Sequence, residues 1–399
     1  MPRPTRAAAQ LHRSAIVVDT HADTPQRFVD ERFDLADPLG GGHLNLKSIH
    51  QGGLSAEFFS IWVPPTRFKG QYARRTLELI DSVQRQVVRH PGKVVFVTSP
   101  AGIEEAHRAR KFAALMGIEG GHSIENSLAL LREYYALGVR YMTLTWANST
   151  DWADSSGDID DPTVPHTPRG LTAFGEEVVL EMNRLGMMVD ISHVADRTFY
   201  RTLAVSRAPV FASHSSARAL CDHPRNMTDE MLRAVARFGR HRSTGGVVQV
   251  NFFSGFVSQE YWDAWKALKP KVDKIVADRQ ARAKAAGRDP NSVRRDRIER
   301  RFADKIPRPP FSALIDHIDH IAQVAGVDHV GLGSDFDGVN GQLPDGLDSA
   351  ADLPKITQAL LERGYTAADC RKILGGNLLR VFREAEAVSR TLHAEGPSV

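Results

Sequence analysis

The chain has 399 residues, 51 Lys+Arg against 48 Asp+Glu, 42% hydrophobic and 25% charged residues, and only two cysteines. This is the composition of a globular protein long enough to bury roughly three quarters of its unfolded surface. It excludes a disulfide scaffold or a cysteine-based zinc site, a dominant nucleic-acid footprint at a net charge of +3, and a membrane span, since no apolar run nears the ~18–20 residues one needs. The unusual count is 16 histidines.

In chain order, the basic N-terminus through Ser14 lacks an apolar h-region, so the chain as written reads as cytoplasmic. A start left by signal-peptide cleavage would instead place it in the periplasm or outside the cell. Short β-branched runs then alternate with segments of helical period. Strands are predicted at Ala15–Asp19, Ala56–Val63, Ala113–Ile118, Arg140–Thr145, Met187–Ile191, Val210–Ser213, Gly246–Asn251 and His329–Gly333. Helices are predicted at Ala73–Arg89, Ser123–Leu137, Leu171–Leu185, Ala195–Val205, Asp229–Phe238 and Phe311–Val324. Residues 34–53, rich in Gly and Asp, read as a long loop after the first strand. Residues 258–310 read as a polar helical insertion between strands seven and eight. The basic run Arg279–Arg301 within it is interleaved with acids, which favours a solvated excursion over an RNA- or lipid-binding arm. Eight strands with crossovers predict an α/β fold, a (β/α)8 TIM-type barrel, as a single domain over 1–399 with its core at 15–383. A doubly wound sheet would need a Gly-x-Gly-x-x-Gly after the first strand, and there is none.

Chemistry in such a barrel sits where the strand C-termini converge. His21 and Asp23 close the first strand two residues apart, so extended backbone turns both side chains to one face. Glu119, His193, His214 and Asp335 close four further strands. Buried charges and imidazoles are costly without partners, so their recurrence at one barrel mouth predicts a metal centre of imidazole and carboxylate, suited to zinc. His21, Asp23, Glu119, His193 and His214 exceed the needs of one catalytic zinc. They match two ions with Glu119 as the bridge, which leaves Asp335 as general base toward a bridging water. His317 and His320 read as a polar outer helix face, and His122 and His166 as loop residues near the mouth.

The segments Val18-Asp19-Thr20-His21-Ala22-Asp23, Gly117-Ile118-Glu119-Gly120-Gly121, Asp190-Ile191-Ser192-His193, Ala212-Ser213-His214-Ser215 and Gly331-Leu332-Gly333-Ser334-Asp335-Phe336-Asp337-Gly338 resemble the renal (membrane) dipeptidase family of zinc peptidases. So do Cys221-Asp222-His223-Pro224-Arg225-Asn226 and Gly376-Asn377-Leu378-Leu379-Arg380-Val381-Phe382, and the matching blocks run in order from about residue 16 to 383. The resemblance implies a distorted amidohydrolase-type barrel and two zinc ions, one held by His21 and Asp23, the other by His193 and His214, with Glu119 bridging. It further implies Asp335 as proton shuttle, Arg225 as clamp for the substrate carboxylate, hydrolysis of dipeptides including those with a C-terminal D-residue, and a homodimer. Two positions depart from the family. Trp146 stands after Thr143-Leu144-Thr145 where a histidine is expected at the oxyanion, and Phe253 stands where a tyrosine is expected.

The altered substrate positions keep a second reading open, another amide or lactone hydrolase, such as an N-acyl amino acid hydrolase, on the same metal site. A non-catalytic binding homologue is the third, and the intact ligand set with Asp335 argues against it.

Overall fold

Strands whose residues are apolar on both faces can only be satisfied inside a layered α/β fold, and eight of these pair side by side in parallel. The computed structural model describes residues 4–238, 245–339 and 342–395; the rest of the 1–399 unit lies outside the described residues. The strands are β1 (Val18–Ala22), β2 (Ala56–Trp62), β3 (Val94–Phe96), β4 (Phe112–Glu119), β5 (Val139–Thr143), β6 (Met188–Asp190), β7 (Phe211–Ala212), β8 (Val247–Val250) and β9 (Val330–Leu332). Their order is β1-β2-β4-β5-β6-β7-β8-β9, with β3 off this path against β4. The barrel closes across the seam between β1 and the segment after β9, where the Asp335 amide donates to the His21 carbonyl (3.0 Å) and the Asp23 amide to the Phe336 carbonyl (2.7 Å).

The eight predicted strands are the eight barrel strands, each shifted at its ends by a few residues. The ninth, β3, is three residues long, too short to show a period of two. The loop expected over 34–53 is corrected: Leu46–Gly52 is a helix. It starts at a capping box between Asn45 and Ser48 and stops at Gly53, whose φ of 63° is a left-handed stop. The expected insertion is helical, Gln259–Ala285 followed by Arg295–Ala303.

Most apolar side chains pack between the outer barrel wall and the helices. A second cluster fills the N-terminal end of the barrel, where Val18, Ala56, Phe58, Tyr141, Met188, Phe211 and Val247 meet Leu378 and Phe382 of the helix Asn377–Glu395. That helix plugs the floor and leaves the C-terminal mouth for polar side chains. No described helix is long and apolar enough to cross a membrane.

Candidate active site

The five predicted ligands and Asp335 converge at the barrel mouth. His21 Nε2 lies 3.5 Å from Asp23 Oδ2 and 3.3 Å from Glu119 Oε2. The other Glu119 oxygen, Oε1, faces His193 Nε2 at 2.9 Å and His214 Nε2 at 3.6 Å. These two Nε2 atoms are 3.0 Å apart. Glu119 thus divides its oxygens between two groups of ligand-type side chains. Asp335 joins the first group, with one donor atom each from His21, Asp23 and Asp335 lying within 4.8 Å of one another.

What orients these side chains lies one layer down. His21 Nδ1 is 3.0 Å from the Tyr141 hydroxyl, which itself donates to the Thr20 carbonyl at 3.0 Å. A hydroxyl whose proton is committed to a carbonyl accepts from the imidazole, so Nδ1 carries a proton and Nε2 is turned to the cluster. His214 follows the same logic, with Nδ1 donating to Ser213 Oγ (2.7 Å) and Ser213 donating to Asp190 Oδ2 (2.6 Å). Asp190 also accepts from Thr143 Oγ1 at 2.5 Å and from the Ser192 and Ser213 amides at 2.9 Å each. Asp19 accepts from the Ser334 amide (2.7 Å) and hydroxyl, tying β1 to the end of β9.

Gly117 on β4 makes the first of these contacts possible. A Cβ there would lie 2.0 Å from the Tyr141 ring, so only glycine lets the ring cross the barrel to His21. Two residues of the cluster also carry backbone strain. His193 (φ 68°) and Asp335 (φ 63°) both hold left-handed conformations that non-glycine residues rarely adopt.

Burial, opposed by the Tyr141 and Glu119 environment, leaves His21 well above the usual imidazole range. Burial and then Arg225 push His193 down to about 3, and burial and then His21 push His214 well below 6.5. Burial and then Glu119 push Asp23 up to about 7. Buried His21 Nε2 faces the Asp23 and Glu119 carboxylates yet makes no hydrogen bond. Imidazoles and carboxylates at these distances are the donor set of zinc or a similar divalent ion, so the residues fit such a centre.

On the substrate side, Arg225 is only 8% exposed. Its Nη2 donates to the His214 carbonyl (3.1 Å) and its Nη1 reaches Ser215 Oγ (3.4 Å), while Nε is without a partner. No carboxylate among the described residues pairs with it. Burial lowers its pKa to about 10 against the pull of Asp335 and Glu119. The Trp146 ring lies 4.9 Å from Trp62 and 6.4 Å from His193, at the edge of the cluster. The Phe253 ring packs on Phe256 (5.0 Å) and Tyr261 (6.1 Å). Its tie to the cluster runs through the backbone: the Phe253 amide donates to Asn251 Oδ1 (2.6 Å), and Asn251 Nδ2 donates to Asp335 Oδ2 (2.9 Å).

His122 donates to the Val63 carbonyl (2.8 Å), and His166 sits 3.7 Å from Asp154. The outer-face reading of His317 is corrected, because that side chain is buried and its Nδ1 accepts from the Ala217 amide at 3.0 Å. Tyr141, Asp190, Ser213 and Asn251 escaped the sequence reading. The available signal was a polar residue inside an apolar strand, as Asp190 is in Met188–Asp190.

The model of the membrane dipeptidase family, peptidase family M19, matches residues 5–396. Dipeptidase 3 of Mus musculus is 34% identical over 401 residues, covering 99% of this chain and 70% of the mouse protein. Among solved structures, the probable dipeptidase PvdM from Pseudomonas aeruginosa superposes with a TM-score of 0.78 at 25% identity over 96% of this chain and 98% of its own. A metallopeptidase from Rhodobacter sphaeroides, liganded with a phosphinate mimic of the dipeptide L-Ala-D-Ala, shares the fold with a TM-score of 0.73 at 23% identity over 93% of this chain and 100% of its own. The chain belongs to the membrane dipeptidase family, peptidase family M19, and is a hydrolase of the metallo-dipeptidase class.

Proposed function

We propose that this dipeptidase is a binuclear zinc enzyme that hydrolyses the peptide bond of dipeptides, including those with a C-terminal D-residue. The observation that carries this reading is the division of Glu119, with Oε2 toward His21 and Oε1 toward His193 and His214. His21 and Asp23 would hold one ion, His193 and His214 the other, and Glu119 both. When bound, two zinc ions supply Lewis-acid polarisation of the scissile carbonyl and a lowered pKa for a water.

The chain's own residues do the rest. Asp335, half-buried and oriented by Asn251, takes the proton of the attacking water and returns it to the leaving amine. Burial raises its pKa, against the pull of His21, toward the range where a carboxylate both accepts and releases a proton. Arg225, a buried guanidinium without an acidic partner among the described residues, receives the substrate's free carboxylate as a charge-assisted pair. That fixes chain length, because the carboxylate must sit one residue beyond the cleaved bond. The phosphinate dipeptide mimic on the Rhodobacter sphaeroides fold relative agrees with a D-residue at this end.

A second reading, hydrolysis of N-acyl amino acids or lactones on the same site, is favoured by the Trp146 indole beside His193. The test is a panel of L-Ala-L-Ala, L-Ala-D-Ala, the amide of L-Ala-D-Ala, N-acetylalanine and a lactone. Both free dipeptides are expected to turn over and the blocked amide to fail. Arg225→Ala should cost about 2–5 kcal/mol in kcat/KM on the free dipeptides and erase their advantage over the amide. Equal cleavage of free and blocked dipeptides, or cleavage of the lactone alone, would overturn the reading.

A further inference from the structure

The helical insertion between β8 and β9 carries a second feature unrelated to the metal cluster. Six arginines, Arg279, Arg282, Arg288, Arg294, Arg297 and Arg301, line one open cavity of about 480 Å³. They reach it from two helices and the turn between them. Arg279 and Arg282 are three apart on Gln259–Ala285, and Arg297 and Arg301 are four apart on Arg295–Ala303, so each pair shares a helix face. The floor is apolar, from Ala283, Val293 and Ile298. Ile298 belongs with Val272 and Val276 to a small core that holds the two helices together independently of the barrel.

Three acids of this region are engaged elsewhere. Asp273 pairs with Lys269 and Arg295, and Glu299 with Arg295. Asp289 caps the intervening turn through the Asn291 amide. None of Arg279, Arg282, Arg288, Arg297 and Arg301 has an ion-pair partner among the described residues. Like charges gathered in one concavity repel and destabilise the unit that carries them, and a bound anion reverses that penalty. Guanidinium forks match phosphate oxygens two at a time, and the cavity falls in the size range of small-molecule sites. A single carboxylate would leave most of this charge unbalanced. A concave cleft between two packed helices suits a compact ligand better than a flat membrane.

We propose that this cleft is a binding site for a compact polyphosphate anion, a chain of two or more linked phosphates, free or carried by a nucleotide. Along the helix, Arg282 is about 30 Å from Trp262, whose ring lies tilted against that of His223, beside Arg225, with centroids 4.0 Å apart. The site is therefore remote from the barrel mouth but joined to it by one continuous element.

The test is equilibrium dialysis of the full-length zinc-loaded protein with radiolabelled ATP in excess magnesium, with inorganic tripolyphosphate, adenosine and a short single-stranded RNA as competitors. Saturable binding with one site per chain is expected, displaced by tripolyphosphate and not by adenosine. Arg282→Glu with Arg297→Glu should weaken binding at least about tenfold while dipeptide turnover without anion stays unchanged. The same charge change at the exposed Arg13 and Arg390 should leave affinity within about twofold. Failure to saturate, equal weakening by both double variants, displacement by adenosine alone, or RNA competing at least about tenfold more tightly than tripolyphosphate would each overturn the proposal. Adenosine-insensitive displacement by tripolyphosphate identifies the phosphate chain as the recognised part. If tripolyphosphate needs at least about tenfold higher concentration than ATP, the nucleotide is the ligand; equal potency assigns it to the free chain.

Discussion

Asp335 is held in place more firmly than a surface carboxylate needs. Its backbone is left-handed, its amide is bonded to the His21 carbonyl, and its Oδ2 accepts from Asn251. The two hydrogen bonds fix the carboxylate over the cluster and offset the local strain of the left-handed backbone. Asp335→Asn keeps the shape and removes the proton acceptor. It should lower kcat by roughly 10²–10⁴-fold while zinc content, read by mass spectrometry, stays at the wild-type level; unchanged kcat would remove Asp335 from the reaction. The candidate ligand residues were legible in the sequence because each ends an apolar run, where a His or carboxylate is costly without a partner. Tyr141 and Asp190 were not, because their work is done across the barrel, on partners 120 and 23 residues away.

At the scale of elements, the strands act as rulers that bring side chains of distant sequence to one height. Glu57 pairs in register with Asp19, and Thr143 with both Glu119 and Asp190. Such a ruler works only where neighbouring side chains allow it, as Gly117 does for Tyr141. Gly117→Ala should displace the Tyr141 ring and with it the support of His21, weakening metal affinity by roughly 10–100-fold. Chelator competition against the wild type measures this, and equal affinity would show that Tyr141 does not orient the ligand. The strands were readable from hydrophobicity because they are buried on both faces. Leu46–Gly52 was not, because the glycines at 40–42 and the acids of its flank dominate the composition, while the start signal is local to Asn45 and Ser48. The helix Arg6–Ser14 escaped because alanine and arginine give it only a narrow apolar face.

Across the whole molecule, the surplus of histidines resolves into two populations. Three stand in the ligand cluster; several others are structural and buried. His12 donates to the Gly52 carbonyl and accepts from Thr357 (2.7 Å each), tying the N-terminal helix to the barrel periphery. Burial pushes both His12 and His317 down to about 4. In the unfolded chain each returns to the ordinary value, so below about pH 6.5 the unfolded state binds more protons than the folded one. Their contribution to stability is complete above that pH and is lost as pH falls toward 4, at up to about 1.4 kcal/mol per pH unit for each. Urea midpoints should therefore drop between about pH 7 and pH 5, and His12→Gln should flatten part of that drop; an identical pH profile in the variant would assign the loss to other groups. The basic run of the insertion shows the opposite limit of legibility. Interleaved acids made it look like an ordinary solvated helix, and only the packing of two helices reveals that the arginines face one cleft while Asp273, Asp289 and Glu299 are engaged outside it.

The proposed binuclear centre is tested most directly by counting zinc per chain after reconstitution and dialysis, in the wild type and in Glu119→Ala. Two tightly held ions are expected in the wild type, and fewer than two, with turnover lost, once the carboxylate shared by His21, His193 and His214 is gone. A wild-type protein that turns over dipeptides fully with a single ion, or a Glu119→Ala variant that keeps two, would contradict a centre bridged by Glu119.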